Sequence, residues 1–126
     1  MVIVTESPVE PGEIYGRLRK NNAGSVIFHY AVVKASAGGK RTSGIRFERC
    51  GDIEAELSGI ETDMKSRRDI EDILLIRRTG ELNIGDIISL VAVSSPASSD
   101  AFETCMYGLE RIRKMQSVRK TELYVE

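Results

Sequence analysis

Apolar positions along the chain change period several times, and each change predicts an element. Val2 to Val4 is a short apolar run that predicts a strand, interrupted by Pro8 and Pro11. Pro11 suits the first turn of a helix, where its missing N–H costs nothing. A short helix is therefore expected there, with Ile14, Tyr15 and Leu18 inward and Arg17, Arg19 and Lys20 toward water. Gly16 weakens it, and Asn21 to Gly24 ends it. Ser25 to Val33, SVIFHYAVV, is an almost continuous run of β-branched and aromatic residues and predicts a central strand. Ala35 to Ser43 carries Gly38-Gly39 among small and polar residues and predicts a loop. Ile45 and Phe47 then alternate with Arg46 and Glu48, the pattern of a half-buried strand ending near Cys50-Gly51.

The period changes to helical at Asp52, a suitable cap. Ile53, Leu57, Ile60 and Met64 recur at spacings of four, three and four, which places them on one face. Glu54, Glu56, Glu61, Asp63 and Lys65 mark the wet side, and the helix is expected to end near Arg67-Arg68. Ile73 to Arg77 predicts a strand, Gly80 to Gly85 a turn, and Ile87 to Val93 another strand. After Pro96, Asp100 and Glu103 have the spacing of a capping box. They open a helix whose apolar face is predicted to hold Phe102, Cys105, Met106, Leu109 and Ile112. The tail SVRKTELYVE alternates imperfectly and predicts a terminal edge strand. The order is that of an α+β domain with about three helices and a mixed or mainly antiparallel sheet, not a doubly wound nucleotide fold.

Composition narrows the class. A chain of 126 residues fits one domain, 1–126, and its core must be aliphatic, since the sequence has three Phe and no Trp. No apolar run approaches the roughly 20 residues of a membrane helix. The N-terminus does not have the form of a signal peptide, so a soluble, cytoplasmic protein with no membrane partner is expected. Eighteen basic against 19 acidic residues argue against a general nucleic-acid binder. Cys50 and Cys105 stand outside any paired-cysteine motif, and His29 is the single histidine. Neither a metal site nor a bound cofactor is therefore expected, and His29 reads as a structural residue within an apolar strand.

Two basic features carry candidate chemistry. Lys34 directly follows the strong strand, and Arg111, Arg113, Lys114, Arg119 and Lys120 concentrate charge near the end of the chain. If folding brings Lys34 near Arg113 and Lys120, the three can hold a phosphate, a carboxylate or a partner's C-terminus. The competing reading of the same charges is a solvated helix terminus that complements the helix dipole.

Several stretches, in order and at matching spacing, resemble the MoaE-like catalytic (large) subunit family of molybdopterin synthase across nearly the whole chain. Gly24 to Lys34 is similar to a glycine-led strand ending in V-R, with lysine in place of the arginine. Ile45-Arg46-Phe47-Glu48 resembles L-x-Y-E, and Arg78-Thr79-Gly80-Glu81-Leu82-Asn83-Ile84-Gly85-Asp86 resembles R-x-G-x-L-x-x-G-E, with Arg77 in place of a preceding histidine. Ser94-Ser95-Pro96 and Ala101 to Cys105 are similar to the flanks of V-S-S-P-H-R-x-x-A-F-x-A-C, but the central H-R falls at Ala97-Ser98. Leu109 to Arg113 resembles I-D-x-L-K. Arg119 to Glu122 resembles W-K-K-E, with Arg119 for the tryptophan and Lys120 kept.

The resemblance implies an α/β hammerhead-like α+β domain that forms a homodimer. It implies a role in molybdenum cofactor biosynthesis, with sulfur passing from the C-terminal thiocarboxylate of a small ubiquitin-like subunit to cyclic pyranopterin monophosphate, giving molybdopterin. On the matching positions, Lys120 is the central catalytic candidate and Arg113 assists it. Lys34 is implied to contact the substrate, and Arg77 and Arg119 are the nearby arginines that could compensate for the arginines missing at positions 34 and 98. Cations there would bind the phosphate, orient the acyl thiocarboxylate and stabilise developing negative charge. A neutral lysine amine could alternatively attack the partner's carbonyl. Ala97 exchanges no proton, and Ser98 lacks the arginine fork. Two classes are thus left open: a divergent sulfur-transferring enzyme, and a noncatalytic binding or scaffold subunit that keeps the fold.

Overall fold

A computed structural model of the chain describes residues 1–125. In order, the elements are β1 (Val2–Thr5), α1 (Pro11–Ile14) running into a 3-10 turn (Tyr15–Arg17), β2 (Ser25–Val32), β3 (Ser36–Ala37), β4 (Lys40–Arg49), α2 (Ile53–Arg67), β5 (Asp72–Arg78), β6 (Gly80–Asn83), β7 (Ile87–Ser95), α3 (Ser98–Arg113) and β8 (Val118–Tyr124). This is the expected α+β class with three α-helices and mostly antiparallel pairing. The strands form two sheets, whereas the sequence suggested one.

The first sheet has the order β1-β5-β7-β2, parallel between β1 and β5 and antiparallel elsewhere. In the second, β4 pairs with β3, β6 and β8. The apolar run of β2, expected to be central, therefore lies on an edge, and most of its residues are half-buried. The central places belong to β5 and β7, which are buried almost throughout. Gly80 to Gly85, read as a turn, contains β6, because Gly80–Asn83 pairs with Gly44–Phe47.

Both faces of the first sheet are covered. Ile73, Leu75, Val91 and Val93 face α2 and α3 and join Ile53, Leu57, Ile60 and Met64 in one core cluster. Leu74, Ile76, Leu90 and Ala92 point the other way and pack with Ile14 and Leu18. Tyr15, predicted inward, is exposed. The α2 helix starts as its sequence suggests: the Asp52 carboxylate accepts from the Ala55 N–H at 2.9 Å, which satisfies one orphan donor.

The α3 helix departs from expectation at both its start and its face. Ala97 occupies the N-cap and offers no side-chain acceptor. Asp100 and Glu103 instead face Arg68, the latter through paired 2.8 Å hydrogen bonds from Nε and Nη2. The buried face is Ala101, Thr104, Cys105, Gly108 and Ile112, while Phe102 and Met106 are exposed. Small residues bring the helix close to the sheet: a Cβ on Gly108 would press into the Met64 side chain and come within 3.3 Å of Val91.

Packing at two positions sets measurable stabilities. Leu57, fully buried between helix and sheet, should cost about 2–5 kcal/mol as Leu57→Ala through lost transfer energy and the cavity left behind. Reversible denaturation measures it, and no loss would remove Leu57 from the core. At Gly44 a methyl would collide with the Leu82 carbonyl oxygen of the neighbouring strand. Gly44→Ala should therefore destabilise by about 1–3 kcal/mol, as overpacking does. A melting midpoint equal to wild type would show that β4 and β6 can separate freely.

Candidate functional site

The first sheet ends in one row of aligned residues. Val4 lies opposite Arg77, Arg77 opposite Ser89, and Ser89 opposite Ala31. Side chains alternate along a strand, so Arg77 continues the face of Ile73 and Leu75, and Ser89 that of Val91 and Val93. This is the face that the two long helices cover. At the Arg77 row the C-terminal turn of α3 and the second sheet take over, and the layers leave a gap.

A cavity of about 290 Å³ occupies that gap. Ala31, Arg77 and Ser89 line it from the first sheet, Ile45, Phe47, Val118 and Lys120 from the second, and Leu109, Ile112 and Arg113 from α3. Phe47 and Lys120 are register partners across β4 and β8, which fixes them side by side. A second cavity of about 210 Å³ adjoins it, sharing Ile45, Ile88 and Lys120 and adding Lys34, Gly38 and Glu122. Lys120 thus belongs to the walls of both cavities. Folding places Arg113 and Lys120 in the wall of the first cavity, and Lys34 and Lys120 in the wall of the second.

The cations differ in their environment. Lys120 Nζ lies 3.3 Å from Glu122, and Arg113 Nη1 lies 2.9 Å from Glu110 one turn back on α3. Both side chains are more than half exposed, so each pairing is worth at most about 1 kcal/mol and can be exchanged for a ligand. Arg77 is different. It is 8% exposed, its guanidinium carbon lies 4.2 Å from the Phe47 ring centroid, and its Nε has no hydrogen-bond partner among the described residues. Burial alone pulls its pKa down to about 10, so it is still a cation at neutral pH. Of the two compensating residues suggested by sequence, Arg77 reaches the cavity. Arg119 is exposed opposite Glu48 and lines neither cavity.

Ala97 and Ser98 lie at the other end of α3, about 22 Å from Arg113 at 1.5 Å rise per residue. Within one chain, the substituted H-R pair is therefore not part of the wall around Lys120. His29 is half-buried on β2 opposite Val91, with its Nδ1 buried and unpartnered. Cys50 is exposed and Cys105 buried, both free. Burial pushes the Cys105 thiol up to about 11, which makes it a core residue and a poor nucleophile.

A larger open depression of about 650 Å³ lies between the end of β1 and strands β4 and β6. Its arginines are already matched, Arg46 with Glu81 and Arg49 with Glu54. The cavity between the layers, by contrast, has Arg77, Arg113 and Lys120 in its wall and, among the described residues, no acidic one. Sequence reasoning did not assign Phe47 and Ser89 to the site. The strand alternation placed Phe47 inward, but nothing in it foretold that Arg77 would stack there.

Comparison with known proteins agrees with this architecture. The model of the MoaE protein family matches residues 4–115. The chain is 26% identical over 122 residues to the molybdopterin synthase catalytic subunit of Bacillus subtilis (strain 168), spanning 96% of this chain and 78% of that one. It is 28% identical over 123 residues to the same subunit of Staphylococcus carnosus, spanning 97% and 81%. The crystal structure of molybdopterin synthase from Staphylococcus aureus shares the fold with a TM-score of 0.87 at 24% identity, over 98% of this chain and 90% of that one. A protein–protein complex of subunits 1 and 2 of molybdopterin-converting factor from Helicobacter pylori contains a chain with a TM-score of 0.72 at 13% identity, covering 99% and 90%. With the family's model matching most of its length, from the first strand to the turn after α3, this chain belongs to the MoaE family.

Proposed function

We propose that the chain is the catalytic half of a molybdopterin synthase. In this reading it receives the C-terminal thiocarboxylate of a small ubiquitin-like subunit and passes its sulfur to cyclic pyranopterin monophosphate. The observation that carries the reading is the position of Lys120, in the wall shared by two cavities, with Arg113 and Arg77 on one side and Lys34 on the other. Two anionic reactants have to meet for this reaction, and a cation between two neighbouring hollows can serve both. The sulfur first bonds to a pterin carbon, displacing oxygen there and leaving an acyl thioester. Water then adds to the acyl carbon, negative charge develops on the carbonyl oxygen, and the acyl C–S bond breaks with the sulfur kept by the pterin. A fixed ammonium within reach stabilises that charge more than the ground state, which is the condition for a rate gain. The oxygen from water stays on the acyl carbon, so the small subunit is returned as a carboxylate. Lys34 supplies a point charge for the phosphate, without the two-pronged grip of an arginine.

The relatives named as molybdopterin synthase catalytic subunits support the same assignment, at a quarter to a little over a quarter identity. The alternative is a noncatalytic scaffold subunit. It is favoured by Ala97-Ser98, where the family pattern has H-R. A homodimer belongs to the same reading.

Reconstitution with thiocarboxylated small subunit and cyclic pterin tests the assignment. Wild type should form molybdopterin, and folded K120A should form it about 10²–10³-fold more slowly, the loss typical of one electrostatic stabiliser. R113A should raise the small-subunit concentration needed for half-maximal rate. Product formation by K120A at the wild-type rate would exclude Lys120 from the chemistry. Binding of both reactants by wild type with no product would establish the scaffold. Light scattering over a concentration series should give a dimer mass, and a monomer mass throughout would reject the homodimer.

A further inference from the structure

The charge in the cavity wall that lacks a partner among the described residues is not one of the residues on which the family resemblance rests. Arg77 stands where that pattern carries histidine, so it is a feature of this chain. More than nine-tenths of it is buried, and among the described residues its Nε has no hydrogen-bond acceptor. The adjacent Arg78, whose Nε is likewise unpartnered, is compensated through its other nitrogens: Nη1 lies 3.7 Å from Asp86, and Nη2 donates to the Glu6 carbonyl at 2.9 Å. Among the described residues Arg77 has no such neighbour, and no carboxylate lines the cavity it faces. Isolated buried charge is costly, so its retention calls for an explanation, and a ligand that completes it is one.

Its orientation is fixed on two sides. The Phe47 ring holds the guanidinium plane from one side, and the β5 register holds its backbone opposite Ser89. A stacked arginine loses little further freedom when its edge meets an oxyanion, and its paired N–H groups match two oxygens at once. We propose that Arg77 is the oxyanion receptor of this cavity, gripping a carboxylate-type or phosphate group that enters past Lys120 and Arg113. This deepens the sulfur-transfer reading by naming the group that anchors a reactant, and it rests on that reading only for the ligand's identity. The oxyanion has two sources, the C-terminus of a peptide tail or the phosphate of a small molecule.

Binding measurements on the whole chain, without turnover, test it. The probes are a short synthetic peptide with a free C-terminal carboxylate, the same peptide as its C-terminal amide, and inorganic phosphate. Wild type should bind the acid peptide or phosphate and not the amide; the oxyanion that binds identifies the source. R77M should bind that probe about 10- to 100-fold more weakly, the loss expected when a charge-assisted hydrogen bond disappears. Its unliganded melting midpoint should be no lower than wild type, because an apolar chain replaces an unpaired charge. Should R77M fail to fold, wild type decides by NMR: the Arg77 Nε–H resonance, identified by its absence in R77K, must move on saturation with the probe. Unchanged affinity in R77M, a stationary resonance, or no binding of either oxyanion by wild type overturns the inference. An inactive wild type that binds through Arg77 refutes sulfur transfer alone. An active R77M with unchanged binding refutes the role of Arg77 alone.

Discussion

The constraint on which the structure depends is the double coverage of β5 and β7. A strand buried on both faces leaves no polar side for its residues, so alternation divides them between two cores. Ile73 and Leu75 go to the long helices, and Leu74 and Ile76 to the N-terminal turn. The same rule governs the end of the strand. Arg77 is two residues beyond Leu75, so its side chain must point beneath the helix layer, and a shift of one residue would reverse every assignment. The cation reaches the cavity because the hydrophobic register carries it there.

The second sheet closes the site by an equally local rule. β4 pairs with β6 and β8 over the same residues, Gly44 to Phe47, and Gly44 is the point where a side chain would not fit between the strands. Close approach there ties β4 to β6, while the β4–β8 register on the other edge sets Lys120 beside Phe47. Phe47 in turn supports Arg77. One aromatic ring thus links the catalytic candidate on β8 to the buried cation on β5.

Much of this was legible in the sequence, and the exceptions have physical causes. The α2 helix was readable in full, cap and buried face alike, because period, charge and Asp52 all agree. The α3 helix was misread because hydrophobicity was taken for burial: Ala101, Cys105 and Gly108 allow close packing, and Phe102 and Met106 are left outside. The apolar run of β2 suggested a central strand, yet strand order is a long-range property that no local pattern records. At the site, Lys34, Arg113 and Lys120 stood out as basic positions and by motif resemblance, but their spacing could not say which would meet, since they come from three separate elements. Arg77 stands out in the sequence as a substitution; that its Nε has no partner among the described residues is visible only in the fold.

The shared position of Lys120 also bears on how two ligands could meet. A single ammonium borders both cavities and is itself paired with Glu122, so filling either cavity changes the field felt in the other. An anion on one side takes up part of the attraction that the other side would use, and also competes with Glu122 for the same amine. Thermodynamic reciprocity then requires that each ligand alter the affinity of the other by the same factor. If both cavities take an anion, the wall between them couples the two sites, and the strength of that coupling rests on one side chain.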